Sequence, residues 1–108
     1  MRLVQVIPSL SANMGGPTRT VSHLSDALSY CDDVQVKLIT QAVIGQKVVA
    51  PESIRVERYL GESKHKSSLS LGLPGRNALV STLRKKCPDI LHSHGIWHPL
   101  NHWCADLG

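Results

Sequence analysis

"RLVQVIPSLSANMGGPTRTVSHL", residues 2–24, changes its period twice, and those changes decide the fold. Leu3, Val4, Val6 and Ile7 are nearly continuous, the pattern of a strand buried on both faces, as parallel strands tend to be. Residues 9–17, "SLSANMGGP", read as a loop by their Ser, Asn and Gly content. Pro17 then suits the first position of a helix, where a missing N–H costs nothing. Val21, Leu24, Ala27 and Leu28 follow at helical spacing and form one apolar stripe.

The same alternation continues outward. "VQVKLIT", residues 34–40, is a second strand; residues 42–52 are irregular; "SIRVERY", residues 53–59, alternates as a short third strand. Residues 61–75, "GESKHKSSLSLGLPG", hold no sustained period and read as a long, mobile basic loop. Leu79, Val80 and Leu83 mark a second helix over residues 77–87, ended by Pro88. "DILHSH", residues 89–94, is a final strand, and a third helix is expected over residues 97–107. Strands alternating with helices predict an α/β, Rossmann-like parallel sheet flanked by helices. Gly108 falls where a helix should turn into another strand. Residues 1–108 are therefore read as an incomplete domain, part of something larger, whose final strand presents an unpaired edge.

An apolar fraction of 42% is enough for one packed core and points away from disorder. No apolar run approaches the roughly 20 residues of a membrane span, and no secretory signal pattern is present. Cys31, Cys87 and Cys104 are odd in number and widely spread, which fits reduced thiols in a cytoplasmic protein. The net charge of +4 is unevenly placed. Arg55, Arg58, Lys64, Lys66, Arg76, Arg84, Lys85 and Lys86 are opposed within their stretch only by Glu57 and Glu62. Such a segment meets anionic lipid, nucleic acid or phosphorylated ligands, or simply keeps a surface solvated.

Two stretches carry chemistry. In "MGGPTRT", Gly15 and Gly16 allow close backbone approach, a following helix N-terminus favours an anion, and Arg19 adds a charge. The motif is neither the dinucleotide fingerprint nor a P-loop, and a plain turn has the same look. In "DILHSHGIWHPLNHW", residues 89–103, His92 and His94 are two apart and face one way on a strand, at its C-terminal end. His98 and His102 are four apart and share a face if helical. The four histidines with Cys104 can be read as a zinc site, although no carboxylate falls inside the cluster. A histidine near a strand end is also often only a hydrogen-bonded, half-buried residue. Trp97 offers a ring to stack on a sugar, or a packing anchor.

The "GGPTRTV" loop after "RLVQVIPSLS", followed by "PDILHSHGIWHPLN", resembles the N-terminal domain of GT-B fold glycosyltransferases of the family 4-like group. The "HGIW" form looks like the bacterial exopolysaccharide and lipopolysaccharide enzymes. The resemblance implies retaining transfer of a sugar from a nucleotide-sugar donor to a glycan or lipid-linked acceptor, with neither metal nor other cofactor and no nucleic-acid partner. It places Gly15 and Gly16 beside the donor's diphosphate and His94, as the catalytic group, beside the transferring sugar. Arg19, His92 and Trp97 then join as substrate-binding residues. The donor-binding C-terminal domain of that family is not among these residues, so the acceptor-side half alone is expected, inactive by itself. The competing readings are a non-catalytic phosphate- or nucleotide-binding Rossmann-like module and a histidine-rich metal-binding protein.

Lipid-linked acceptors imply peripheral attachment at the inner face of the membrane, through the basic segment and Leu69, Leu71 and Leu73. Each Lys or Arg near an anionic surface contributes about 1 kcal/mol. Neutralising Lys64, Lys66, Lys85 and Lys86 together should therefore sharply reduce co-sedimentation with anionic vesicles at low salt. Unchanged sedimentation would leave them as ordinary surface charge.

Overall fold

Four parallel strands form one sheet in the order β3-β2-β1-β4. The computed structural model describes residues 1–10, 16–44, 48, 51–64, 69, 71–85, 87–94 and 98–107, and of Gly16, Pro17 and Val43 the backbone alone. Strand β1 (Arg2–Val6) leads into helix α1 (Gly16–Ser29), then β2 (Gln35–Val43), β3 (Glu57–Ser63), α2 (Leu73–Lys85), β4 (Ile90–Ser93) and α3 (Pro99–Leu107). The fold is α/β with a Rossmann-like parallel sheet and helices on both faces.

Alternation along β1 sends its side chains to two separate cores. Val4 and Val6 pack with Ile39, Ala78, Leu79, Leu100 and Cys104, under α2 and α3. Ile7 packs with Leu10, Val21, Val36, Leu38 and Val56, under α1. Both β1 neighbours are parallel: Leu3 pairs with Val36 on one side and Ile90 on the other. The final strand thus has one paired edge and one outer edge. Asp89 extends its grip below the ladder, its Oδ2 accepting from the Arg2 N–H at 2.6 Å.

Three expectations need correction. The third strand runs over 57–63 and not 53–59, because the Asp26 carboxylate on α1 captures the segment before it. Its Oδ2 accepts from the Glu52 N–H at 3.0 Å and its Oδ1 from the Ser53 N–H at 2.8 Å. The Ser53 carbonyl then accepts from the Val56 N–H, which makes a turn of residues the alternation assigned to a strand.

Residues 61–75 are not one loop either. Gly61–Ser63 complete β3 against Gln41–Val43, and α2 begins at Leu73, four residues earlier than residue 77. A Cβ at Gly61 would lie 2.6 Å from Pro74 Cβ, so glycine lets α2 start close over the strand. The buried Gln41 side chain fastens that start, its Oε1 accepting from Gly75 N–H at 2.9 Å and its Nε2 donating to the Leu69 carbonyl at 3.1 Å. The third helix begins at Pro99 rather than 97. Lys66 and Lys86 lie outside the described residues; Lys64 and Lys85 are exposed, as are Leu71 and Leu73. Among the described residues no helix is long and apolar enough to cross a membrane. All three cysteines are free thiols.

Gly72, just before α2, has φ 73°, and a Cβ there would stand 2.8 Å from the backbone nitrogen of Leu100. Gly72→Ala should therefore lose at least about 1 kcal/mol of stability, the lower bound of the left-handed penalty for an L side chain. Urea unfolding checks this; an unchanged midpoint would show that α3 yields freely.

Candidate functional site

The chain leaves β1 toward β2 through α1 on one face and reaches β4 through α2 on the other. The strand order therefore reverses between β1 and β4. In open α/β sheets the crevice at the carboxyl ends of two such strands is where ligands bind. The N-terminus of α1 opens at that edge, and β4 ends there too, because all strands are parallel.

Helix α1 is 14 residues long, with no acidic side chain in its first turn. The helix dipole places its positive end there. Gly16 is its first residue and Arg19 is exposed within the first turn, while Thr18 is buried. Gly15 and Trp97 lie outside the described residues.

His92 and His94 do share a face, with ring centroids 4.1 Å apart and planes tilted by 35°. Leu91 packs in the α2–α3 core, so the alternate residues His92 and His94 belong to the α1 side. The His94 N–H donates to the Val6 carbonyl at 2.9 Å, carrying the β1–β4 ladder one residue past the strand. Its ring Nε2 lies 2.5 Å from Gln5 Oε1, and Gln5 Nε2 donates to Ser25 Oγ on α1 at 3.4 Å. Gln5 and Ser25 are both fully buried. Asn101 secures the backbone, its Nδ2 donating to the His94 carbonyl at 3.0 Å and to Ser93 Oγ at 2.7 Å.

The remaining histidines do other work. His98 caps α3: its Nδ1 accepts from the Leu100 N–H at 3.0 Å and its carbonyl from the Asn101 N–H at 2.9 Å. His102 is exposed on that helix, so the two are not a helical pair. Cys104 sits in the apolar core on the far side of the sheet from His92 and His94, where burial, against a hydrogen bond from Ser93, pushes its thiol up. The zinc constellation of four histidines and this cysteine is therefore divided among separate places. Among the described residues no three His, Cys, Asp or Glu side chains could hold a metal ion together.

Sequence reading passed over Gln5, Asn101 and Thr40. Thr40 follows Ile39, the partner of Val6, and so stands near the same end of the sheet. It alternates with Leu38 on the α1 side, and its buried Oγ1 has no hydrogen-bond partner among the described residues. A polar residue amid a buried strand's apolar run was the available signal at both Gln5 and Thr40.

Compared with known proteins, the chain matches no family model, no curated protein and no solved structure.

Burial, then the neighbouring His92, pushes His94 below the ordinary imidazole range. Burial does the same to His98, opposed by a hydrogen bond to the Leu69 backbone. Unfolded, both return to about 6.5. The unfolded chain then takes up protons first as pH falls, so these groups favour the fold fully above that value and progressively less toward their folded values. The urea midpoint should begin to drop as pH falls through about 6.5 and continue below it. His94→Gln should flatten part of that drop, and an identical pH profile for the variant would refute the assignment.

Proposed function

We propose that this domain supplies the acceptor-side wall of a retaining, metal-independent GT-B glycosyltransferase of the family 4-like type. Such an enzyme moves a sugar from a nucleotide-sugar donor to a polysaccharide or lipid-linked acceptor. The observation that carries the reading is the shared location of the α1 N-terminus and His94 at the β1–β4 switch point. The sequence motifs that resemble the family are the same two segments.

The chemistry follows from the parts. A diphosphate is stabilised by the positive end of the α1 dipole, which begins at Gly16, and by Arg19. Glycine at 15 and 16 keeps the backbone accessible to it. His94, held at the adjoining strand end, contacts the sugar, with His92 beside it and Trp97 a stacking surface. A preorganised polar group at this place stabilises charge as the glycosidic bond breaks. The nucleotide is held by a facing domain, and transfer needs both walls in near-attack geometry.

In the two-domain enzyme, His94→Ala should lower turnover at least about a hundredfold, the scale of removing one preorganised hydrogen-bonding group. His102→Ala, on the exposed side of α3, should cost far less, and Gly16→Val should abolish transfer in a folded protein. Residues 1–108 alone, incubated with several nucleotide sugars and a lipid-phosphate acceptor, should form no product. Full turnover in the His94 variant, with nucleotide binding intact, would favour a non-catalytic phosphate- or nucleotide-binding module. Product from the isolated chain would overturn the two-wall reading.

A further inference from the structure

We propose that Gln5 is a positioning residue for His94: it fixes the ring as the Nε2–H tautomer, leaving the lone pair on Nδ1 to accept a hydrogen bond from a ligand hydroxyl. This rests on the preceding reading only in taking His94 to face ligand.

The argument begins with the buried amide. A glutamine in the middle of a doubly paired strand needs partners for both ends of its side chain, since an unsatisfied buried polar group is costly. Gln5 Oε1 is the atom that meets His94 Nε2, and Gln5 Nε2 donates to Ser25 Oγ. An amide oxygen only accepts hydrogen bonds, so the proton between them belongs to His94 Nε2. In a neutral imidazole the other nitrogen, Nδ1, is then the acceptor.

The surroundings agree. Gln5 from β1, Ser25 from α1 and Asn101 from α3 are all uncharged. Among the described residues, His92 is the titratable group against the ring, and it disfavours a second positive charge. Among the described residues no carboxylate joins these contacts, unlike the aspartate–histidine pairs that stabilise imidazolium. Phosphate binding and hydroxyl binding are thereby divided within one crevice. The α1 N-terminus and Arg19 attract negative charge, while His94 recognises a polyol such as a sugar ring.

The test is nitrogen NMR of the 108-residue chain labelled at histidine, at about pH 7.5, above the ordinary imidazole value. His94 should show a protonated Nε2 and a lone-pair Nδ1, and inorganic pyrophosphate should leave that signature unchanged. Gln5→Leu should lose the single-tautomer signature. Gln5→Glu, by placing a carboxylate against Nε2, should shift the ring's titration to higher pH. An Nδ1–H tautomer in the wild type, an unaltered signature in Gln5→Leu, or protonation of both nitrogens by pyrophosphate would each overturn the proposal. If Gln5→Leu fails to fold, the wild-type tautomer alone decides. A chain with the expected tautomer in an enzyme that transfers no sugar refutes the transferase and leaves this assignment standing.

Discussion

Everything in this domain depends on β1 being paired on both sides. Its backbone is satisfied by β2 and β4, and its two faces are covered by α1 and by α2 with α3. Past Arg2 such a strand has no solvated side, so each residue must be apolar or internally bonded. Leu3, Val4, Val6 and Ile7 meet the first condition. Gln5 meets the second, and it does so by reaching the helix on one hand and the histidine of the neighbouring strand on the other.

That enclosure explains what could be read from the residues. Strand β1, whose environment is set by burial on both faces, declares itself as a nearly continuous apolar run. Helix α1 does so by its stripe ending at Leu28. Strand β3 is an outer strand, with Glu57, Arg58 and Tyr59 exposed, and its composition constrains it weakly. Its register is set instead by Asp26, a residue more than two dozen positions earlier, and no local pattern reports that bond. The early start of α2 has the same character, since it depends on Gln41 from another element.

The site shows the same division. The strand-end position of His94 is visible in spacing, and the start of α1 in Pro17, one residue after Gly16 where the helix begins. The separation of the histidines is not, because sequence proximity places four of them in a dozen residues while the fold gives them different tasks. His98 serves a helix end, His102 faces solvent and Cys104 belongs to a core. Proximity along a chain is weak evidence of a common ligand when a turn and a helix intervene. The buried partner that orients His94 comes from residue 5, at the opposite end of the chain.

That span bears on how the domain assembles. Strands β1 and β2 are joined through one helix, and the Asp26 contacts close a short segment. The Gln5–His94 contact joins residues 89 positions apart. Contacts between distant residues must overcome the largest loss of chain entropy, and they form after nearer ones have shortened the path. Pairing β4 with β1 closes the longest loop in the sheet, joining Leu3 to Ile90, whereas β1–β2 and β2–β3 close shorter ones. The crevice between β1 and β4 is complete only once that longest loop has been closed.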